Sequence, residues 1–512
     1  MRRIEGDNGD TTRNLPTEHA KLAPSLLGRA KYGSLRKHFC LYFVRGAFMS
    51  NLVIYNARLV DENTDAYGAL LVSNGKILSV CKSDFCTEAS AVKLADGIFS
   101  DSADPVELFD AKGLVLTPAF IDLHVHLRYP GQTQKEDLNS GLRATAAGGF
   151  GTVVAMPNTN PVVSDAELAL KIEKEAEEIG LTKVFQTVSL TKNFEGKDVT
   201  HLKEINARSI PVITEDGHDV LSSSVMLDAM KIAAEKGAVV SCHSEDPELA
   251  LKAKPYRAAA LEIMKIYGLS AWGHFVESEK EISPETFTEI DSNLTAANSL
   301  LAIAEDSATY RNILLAKEAG CHVHIAHCST KNSIEIVRAA KKEGINVTCE
   351  VTPHHLALTG DTEPMIRALV NPPLRHEEDR LALIEALRDG TADIISTDHA
   401  PHTADDKAAG APGFTGAETA FAVCNTVLVK EHGFTPQKLS QLMSANPARI
   451  LGLKKGLLEP GYDADFALLD PEKRWKVRSA DFKSKGKASP FEGEELIGKV
   501  QGLILDGKMI SL

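Results

Sequence analysis

The chain has 512 residues, of which 43% are hydrophobic, 25% charged and 6% aromatic. These proportions are typical of a folded globular protein and exclude a mainly disordered, collagen-like or disulfide-scaffold chain. The 56 basic and 70 acidic residues give a formal charge of −14, which argues against a nucleic-acid partner. No apolar run reaches the roughly eighteen residues of a membrane span, so we expect no membrane partner. Eight cysteines without a Cys-x-x-Cys pair favour reduced thiols in a cytoplasmic protein.

The first 48 residues form a region of different character. They carry nine basic and four acidic residues, a net charge of +5, in an otherwise acidic chain. The four acidic residues argue against an organelle-targeting segment. We expect residues 1–48 to be a disordered extension, or to precede the true start of the chain at Met49.

Short apolar runs separated by turn residues occur near both ends of the chain. They include residues 52–55, 69–72 and 77–80 at one end and 466–469 and 500–505 at the other. Such runs predict short β-strands. We therefore expect residues 49–113 and 455–512 to form one composite β-sandwich-like domain.

The middle of the chain alternates strand-like runs with amphipathic helical stretches. Eight βα units predict an α/β protein with a TIM (β/α)8 barrel over residues 114–454. We expect residues 270–295, in the long connection after the fifth strand, to be an inserted hairpin or lid. The predicted strands are residues 114–126, 151–158, 183–191, 210–217, 239–246, 322–329, 345–355 and 393–402.

Potential metal ligands lie at the ends of five predicted strands, where the functional groups of such barrels are found. His124 and His126 end the first strand, and the two-residue period of a strand directs both to the same face. The ends of strands 4, 5, 6 and 8 supply further ligands. Three imidazole or carboxylate groups can hold a zinc ion, and six can hold two. The added candidates lie in the strings TEDG at 214–217, SCHSE at 241–245, AHCS at 326–329 and STDHAPH at 396–402.

Five further histidines are interpreted as structural. Two of them alternate out of phase with His327 and should face the helix layer. Two others are adjacent, so at most one can face inward, and the last should point away from Asp398 by strand parity. These residues are His322, His324, His354, His355 and His399.

Several strings in the sequence are characteristic of a known family. They are HVHLRYPGQ at 124–132, AAGGF at 146–150, MPNT at 156–159, EVTPHH at 350–355, VNPPLR at 370–375 and DHAPH at 398–402. With these strings the chain resembles the amidohydrolase superfamily and, within it, the bacterial class I dihydroorotases. The resemblance covers nearly everything from Leu52 to the C-terminus.

The resemblance implies a set of site residues. It implies a tighter metal site made of His124, His126 and Asp398, with Asp216 shared between two ions. The second ion would be held by His243 and His327. The cofactor would be Zn²⁺, one or two per subunit, and residues 412–418 resemble the substrate-covering loop of the family. The implied substrate contacts are Arg128, Asn158, Asn371 and His402.

The implied reaction is the reversible cyclisation of N-carbamoyl-L-aspartate to L-dihydroorotate in pyrimidine (UMP) biosynthesis. In the ring-opening direction a metal-bound hydroxide would attack a ring carbonyl, because the ion lowers the pKa of water to about 7. Asp398 would take the proton and deliver it to the departing nitrogen. Family precedent implies a homo-oligomer or a complex with aspartate transcarbamoylase.

Three alternatives remain open at this point. Hydantoinases, dihydropyrimidinases and allantoinases resemble the chain, but they bridge their metals with a carboxylated lysine. The end of strand 4 offers Glu215 and Asp216 and no lysine, which favours a dihydroorotase. A non-catalytic dihydroorotase-like subunit of aspartate transcarbamoylase would have lost metal ligands, and all six positions are filled. A metal-independent binding barrel leaves the six ligand candidates unexplained.

Overall fold

A computed structural model describes residues 32–33, 51–82, 87–102, 104–267, 282–362 and 365–511. The prediction for residues 1–48 therefore lies outside the described residues, except for Tyr32–Gly33, which pair with Val106 and Glu107 in parallel. The strands are β1 (Tyr32–Gly33), β2 (Asn51–Asp61), β3 (Thr64–Ser73), β4 (Lys76–Lys82), β5 (Val106–Asp110), β6 (Val115–Pro118), β7 (Phe120–Val125), β8 (Phe150–Ala155), β9 (Lys183–Gln186), β10 (Val188–Ser189), β11 (Val212–Thr214), β12 (Val239–Cys242), β13 (His322–Ile325), β14 (Val347–Val351), β15 (Ile394–Ile395), β16 (Phe466–Lys476), β17 (Glu495–Leu505) and β18 (Lys508–Met509). The helices are α1 (Glu88–Phe99), α2 (Leu138–Ala147), α3 (Ala166–Ile179), α4 (Ser223–Lys236), α5 (Pro247–Ile266), α6 (Pro284–Ala319), α7 (Lys331–Lys342), α8 (Pro353–Ala357), α9 (Glu377–Asp389), α10 (Ala404–Ala408), α11 (Ala420–Cys424), α12 (Pro436–Ser440) and α13 (Asn446–Ile450).

The strands from β7 to β15 form a parallel barrel, which confirms the predicted α/β fold class. One sheet runs β7–β8–β9 and another runs β10–β11–β12–β13–β14–β15. The Thr187 amide donates to the carbonyl of Ala155 and joins the two sheets. The barrel closes where Val125 and His399 pair in parallel. Because the third barrel strand is broken into β9 and β10, nine segments make eight strands.

The helices around the barrel begin and end at residues that suit those positions. At α3 the Asp165 side chain accepts from the Leu168 amide, and Gly180 ends the helix in the left-handed region with φ of 71°. A side-chain cap of this kind satisfies an amide that the first helical turn leaves unpaired. Glycine takes the left-handed conformation without steric cost.

A second, nine-stranded sheet joins the two ends of the chain. Its order is β1–β5–β2–β6–β16–β17–β18, with β3 and β4 attached through β2. The antiparallel pairing of β16 with β6 links residues 466–469 to residues 115–118. Residues 115–118, which were predicted to open the first barrel strand, therefore belong to this sheet.

The long connection after β12 is largely helical. We predicted a hairpin or lid over residues 270–295, and residues 284–295 instead form the start of the 36-residue helix α6. The rest of that prediction, up to residue 281, lies outside the described residues. Pro284 at the first helical position and Ser283 as its cap are features of a helix start. Among the residues that the structure describes, no helix has both the length and the apolar character needed to cross a membrane.

Candidate metal centre and active site

The six ligand candidates meet at the carboxyl ends of the barrel strands, and all six are buried. His124 lies on β7, His126 follows its last residue, and both face the same carboxylates. His126 Nε2 lies 3.1 Å from Asp398 Oδ1, and His124 Nε2 lies 3.2 Å from Asp216 Oδ1. His243 Nδ1 is 3.5 Å from the same Asp216 oxygen. The spacing of β7 therefore places both imidazoles in one centre, as the two-residue period predicts.

Two groups of side chains have ligand atoms close enough to hold one ion each. One is His124, His126 and Asp398, and the other is His124, Asp216 and His327. His243 Nδ1 lies 2.9 Å from His327 Nε2, which brings the sixth candidate to the same place. The structure thus gathers every ligand position that the sequence predicted.

The hydrogen bonds of His124 favour a cation at this centre. Its Nδ1 lies 2.8 Å from Glu350 Oε1, so Nδ1 carries the proton and donates to that carboxylate. Nε2 is buried without a hydrogen bond and faces Asp216 and Asp398 at 3.2 and 3.6 Å. In the neutral ring this leaves an imidazole lone pair facing two carboxylates. A positive charge between them, either a second ring proton or a metal ion, stabilises that arrangement, and the set of imidazole and carboxylate donors fits a metal ion.

The pKa shifts of the centre reflect the crowding of imidazoles and carboxylates. Burial would lower the pKa of His124, but Asp216 and Asp398 hold it well above its usual range, and Asp216 likewise raises that of His243 to about 9 against its burial. A bound cation would take the place of these ring protons. Burial would raise the pKa of the Asp216 carboxyl, but the imidazoles, His124 first, hold it well below its usual range. The pKa of Asp398 is also lowered, because His124 and His126 outweigh its burial. Burial, followed by the neighbouring charges of His243 and His124, lowers the pKa of His327 to about 4. Ionised carboxylates beside a neutral imidazole are the forms that bind a metal.

Glu350 is a functional candidate to which we assigned no role. It lies on β14, is buried, and accepts from His124 Nδ1 at 2.8 Å, from His324 Nε2 at 3.1 Å and from the His327 amide at 3.3 Å. These bonds hold its pKa well below its usual range although burial opposes them. A carboxylate that orients a ligating imidazole in this way raises its basicity. The residue stands in the EVTPHH string, but its partners come from other strands.

The prediction that His324 faces the helix layer is wrong. His324 is buried and shares the Glu350 carboxylate with His124, so its ring points into the barrel. The parity argument fails because β13 ends at Ile325 and the backbone of His327 has a φ of 32°. A left-handed residue breaks the alternation of an extended strand.

Two of the four predicted substrate contacts lie together beside the centre. Arg128 Nε donates to the Pro401 carbonyl, and its Nη2 lies 3.1 Å from His402 Nε2. Burial lowers the pKa of Arg128 to about 10, which still leaves the guanidinium charged at neutral pH. Burial and the nearby cations, Arg128 first, lower the pKa of His402 to about 3. A charged guanidinium beside a neutral imidazole can bind a carboxylate and a ring amide.

The other two predicted contacts reach the centre through different partners. Asn158 Oδ1 lies 3.0 Å from His126 Nδ1, and Asn158 Nδ2 donates to Asp216 at 3.3 Å. Asn371 Nδ2 donates to Glu245 at 2.8 Å, and Glu245 lies 4.0 Å from His243 Nε2. Asn158 therefore orients proposed ligands directly, whereas Asn371 reaches the proposed ligand His243 only through Glu245.

Three site residues take a backbone conformation that is rare outside glycine. The φ angles are 56° at Arg128, 32° at His327 and 47° at Asp398. Each residue lies just beyond the end of a barrel strand. Such strain costs about 1–3 kcal/mol per residue and persists where the surrounding fold imposes it. Its concentration here is typical of an active site.

Residues 412–418, which we call the lid, cover this region. Gly413 has a φ of 131°, and a Cβ atom there would lie 2.8 Å from the Ala400 carbonyl oxygen. His402 Nε2 is 2.9 Å from the carbonyl of Pro412. A glycine is therefore required at 413 for the lid to approach the strand that carries Asp398.

The comparisons with known proteins agree with this geometry. The model of the amidohydrolase family matches residues 115–510, so the chain belongs to that family, whose members are metal-dependent. A dihydroorotase of Clostridium botulinum is 38% identical over 459 residues, which are 90% of this chain and 98% of that protein. A dihydroorotase of Aquifex aeolicus is 37% identical over 470 residues, 90% of this chain and 99% of that protein. Within the family, the chain belongs to the dihydroorotases.

Solved structures with the same fold include two enzymes of neighbouring groups. The L-hydantoinase (dihydropyrimidinase) of Arthrobacter aurescens has a TM-score of 0.71 at 24% identity, with 90% of this chain and 96% of that chain covered. The dihydropyrimidinase of Brevibacillus agri has a TM-score of 0.69 at 19% identity, over 90% of this chain and 95% of that chain. At these identities the likeness establishes the shared barrel and β domain.

Proposed function

We propose that the protein is a zinc-dependent dihydroorotase that interconverts N-carbamoyl-L-aspartate and L-dihydroorotate. As a member of the dihydroorotases it is a hydrolase of cyclic amide C–N bonds. The observation that carries the proposal is the junction of two groups of residues. Four histidines among the metal-ligand candidates converge on Asp216 and Asp398, and Arg128 and His402 lie beside them. This arrangement suits a small ring that carries a carboxylate.

His124, His126 and Asp398 would hold one ion, and His243 and His327 would hold a second, with Asp216 between them. A bound zinc ion supplies Lewis acidity and lowers the pKa of water. Asp398 takes a proton from the attacking water and delivers it to the ring nitrogen as the C–N bond breaks. In the reverse direction Asp398 removes the proton from the ureido nitrogen. Asp398 suits this role because it is held ionised, and His126 fixes its orientation at 3.1 Å.

Substrate binding would rest on the groups beside the centre. Arg128 would hold the carboxylate of the substrate through its guanidinium. Asn158, Asn371 and His402 would hydrogen-bond the ureido or ring amide groups. An aspartate at the strand 4 end, where the related cyclic amidases carry a carboxylated lysine, supports a dihydroorotase over a hydantoinase.

A panel of four rings tests the substrate assignment. Purified, zinc-loaded protein is assayed with L-dihydroorotate, hydantoin, dihydrouracil and allantoin, and its zinc content is measured at the same time. Turnover of L-dihydroorotate alone supports the proposal. Turnover of another ring instead would move the protein to a neighbouring amidase. No turnover of any ring at full zinc content would favour the non-catalytic subunit.

The proposed assembly is a homo-oligomer or a complex with aspartate transcarbamoylase. Support comes from α6, where Ile303, Tyr310 and Leu314 are 54–62% exposed at spacings of seven and four residues, on one helix face. Light scattering of the protein alone and with the transcarbamoylase separates the two. We also propose a β domain and a barrel domain, with the boundary predicted at 454/455 kept and the one predicted at 113/114 moved to 118/119, since residues 115–118 pair with β16. A cytoplasmic location is supported by the free thiols of the six described cysteines.

A further inference from the structure

Lys407 on α10 is a buried lysine whose ammonium group is fully occupied by backbone. Its side chain is 1% exposed. Nζ donates to the carbonyls of Leu369 at 2.9 Å, Ala411 at 2.7 Å and Gly413 at 2.9 Å. An ammonium has three N–H donors, so these three bonds use all of them. Burial, followed by the charge of Arg257, lowers the pKa of Lys407 to about 7. The three acceptors favour the ammonium form, because a buried charge without such partners would be costly.

The three carbonyls belong to two segments that are far apart in sequence, and each segment borders the site. Leu369 lies two residues before Asn371, in the turn Ile366–Leu369. Ala411 and Gly413 lie immediately before and within the lid. The Gly413 amide also donates to the Leu369 carbonyl at 2.8 Å. Lys407 therefore closes a junction between the lid and the segment that carries Asn371.

The same junction reaches the substrate residues that follow β15. Pro412, between two of the bonded carbonyls, lies 2.9 Å from His402 Nε2 through its own carbonyl. Phe414 packs under the ammonium with 5.1 Å from Nζ to the ring centroid, and its carbonyl accepts from the Ala400 amide. A displacement of the lid would thus move the Pro412 carbonyl, which contacts His402, and the Phe414 carbonyl, which accepts from the Ala400 amide.

We propose that Lys407 is a positioning residue for substrate binding, because its ammonium group clamps the lid to the segment bearing Asn371. This inference rests on the proposed function for its kinetic consequence, but the clamp itself is a property of the fold. Loss of the ammonium would leave the Ala411 and Gly413 carbonyls without this donor, with only the Gly413 amide remaining on that of Leu369, and the lid would open to let water reach them. Substrate affinity would fall, whereas the proton transfer at Asp398 would be retained.

The test compares Lys407→Met with Lys341→Met in zinc-loaded protein. Lys341 also bonds a backbone carbonyl, that of Gly390, together with Asp393, but at the opposite end of the barrel. We expect Lys407→Met to raise KM for L-dihydroorotate about tenfold or more with kcat within about threefold. Amide hydrogen exchange over residues 409–418 should become about tenfold faster. Lys341→Met should change neither quantity.

Several outcomes would overturn the proposal. One is a folded Lys407→Met protein with unchanged KM and unchanged exchange, and another is an equal rise of KM in Lys341→Met. If Lys407→Met does not fold, Lys407→Gln, which keeps two donors, replaces it and should show a smaller change in the same direction. If the wild-type protein does not turn over dihydroorotate, the proposed function fails, and the exchange measurement alone decides the clamp.

Discussion

Replacing Glu350 with glutamine should weaken zinc binding without unfolding the barrel. The carboxylate accepts from His124 Nδ1 at 2.8 Å and from His324 Nε2 at 3.1 Å. A glutamine carbonyl can still accept from His124, and its NH2 group can donate to His324 after a change of tautomer. The hydrogen bonds are then largely kept, and the main loss is the negative charge that makes His124 Nε2 a stronger ligand.

The expected loss of zinc affinity can be worked out from the strengths of hydrogen bonds to charged and to neutral groups. A hydrogen bond to a charged group contributes about 1.5–3 kcal/mol, and a neutral one contributes about 1 kcal/mol. The difference of about 0.5–2 kcal/mol at His124 corresponds to roughly a 2- to 30-fold loss of zinc affinity. This range overlaps the roughly 10- to 100-fold cost of removing partners of metal ligands. We therefore expect the dissociation constant to rise about tenfold.

Competition with a chromophoric chelator at pH 7 measures the zinc affinity of the wild-type and Glu350→Gln proteins. Glu215→Gln is the matched control, since Glu215 is also buried near the centre but its carboxylate accepts from Thr191 rather than from an imidazole. The control should stay within about threefold of the wild type. Equal zinc affinity in Glu350→Gln and the wild type, or an equal loss in both variants, would refute the reasoning.

Two further predictions concern the metal centre and its substrate contacts, and a third concerns Glu173 on α3. Arg128→Lys should raise KM for L-dihydroorotate by about 10- to 100-fold, with a smaller effect on kcat, because an ammonium cannot bind a carboxylate through two parallel bonds; steady-state kinetics would contradict this if KM were unchanged. Removal of zinc with a chelator should lower the melting temperature by several degrees, since it leaves Asp216 and Asp398 facing imidazole lone pairs, and restoring zinc should reverse the shift in calorimetry. Burial raises the pKa of Glu173 to about 7, so its contribution to stability is present below about pH 4.5 and is lost as pH rises through 7. Relative to the wild type, Glu173→Gln should therefore gain about 1–2 kcal/mol between pH 5 and pH 8 in urea unfolding, with the partial exposure of the side chain discounted, and a constant difference would count against this.

The sequence was sufficient to predict those site residues whose position depends on local periodicity. His124 and His126 face the same centre, as the two-residue period predicts, although the pairing of β7 with β8 shifts register between Asp122 and Val125. The strand ends place Asp216, His243 and His327 at the same end of the barrel, as any closed parallel sheet requires. The resemblance to the dihydroorotases, rather than periodicity, singled out these three residues among the possible ligands at each strand end.

Other features depend on contacts or on backbone conformations that periodicity does not encode. The role of Glu350 requires β14 to lie beside β13 and to be separated from β7 by β15 alone, and its partner His124 is 226 residues away in sequence. His324 was misplaced because the strand ends before His327. Residues 284–295 were assigned to a hairpin, although Ser283 and Pro284 could have indicated a helix start.

The most direct test of the account is the turnover of L-dihydroorotate by zinc-loaded wild-type protein and by Asp398→Asn, with zinc content measured in both. Asp398 has two proposed roles. It faces His126 at 3.1 Å as a metal ligand, and it would also carry the proton during ring opening. We predict that the wild type opens the ring and that Asp398→Asn loses at least about a thousandfold in kcat even when it retains zinc. A zinc-loaded Asp398→Asn protein with near wild-type turnover would contradict the account.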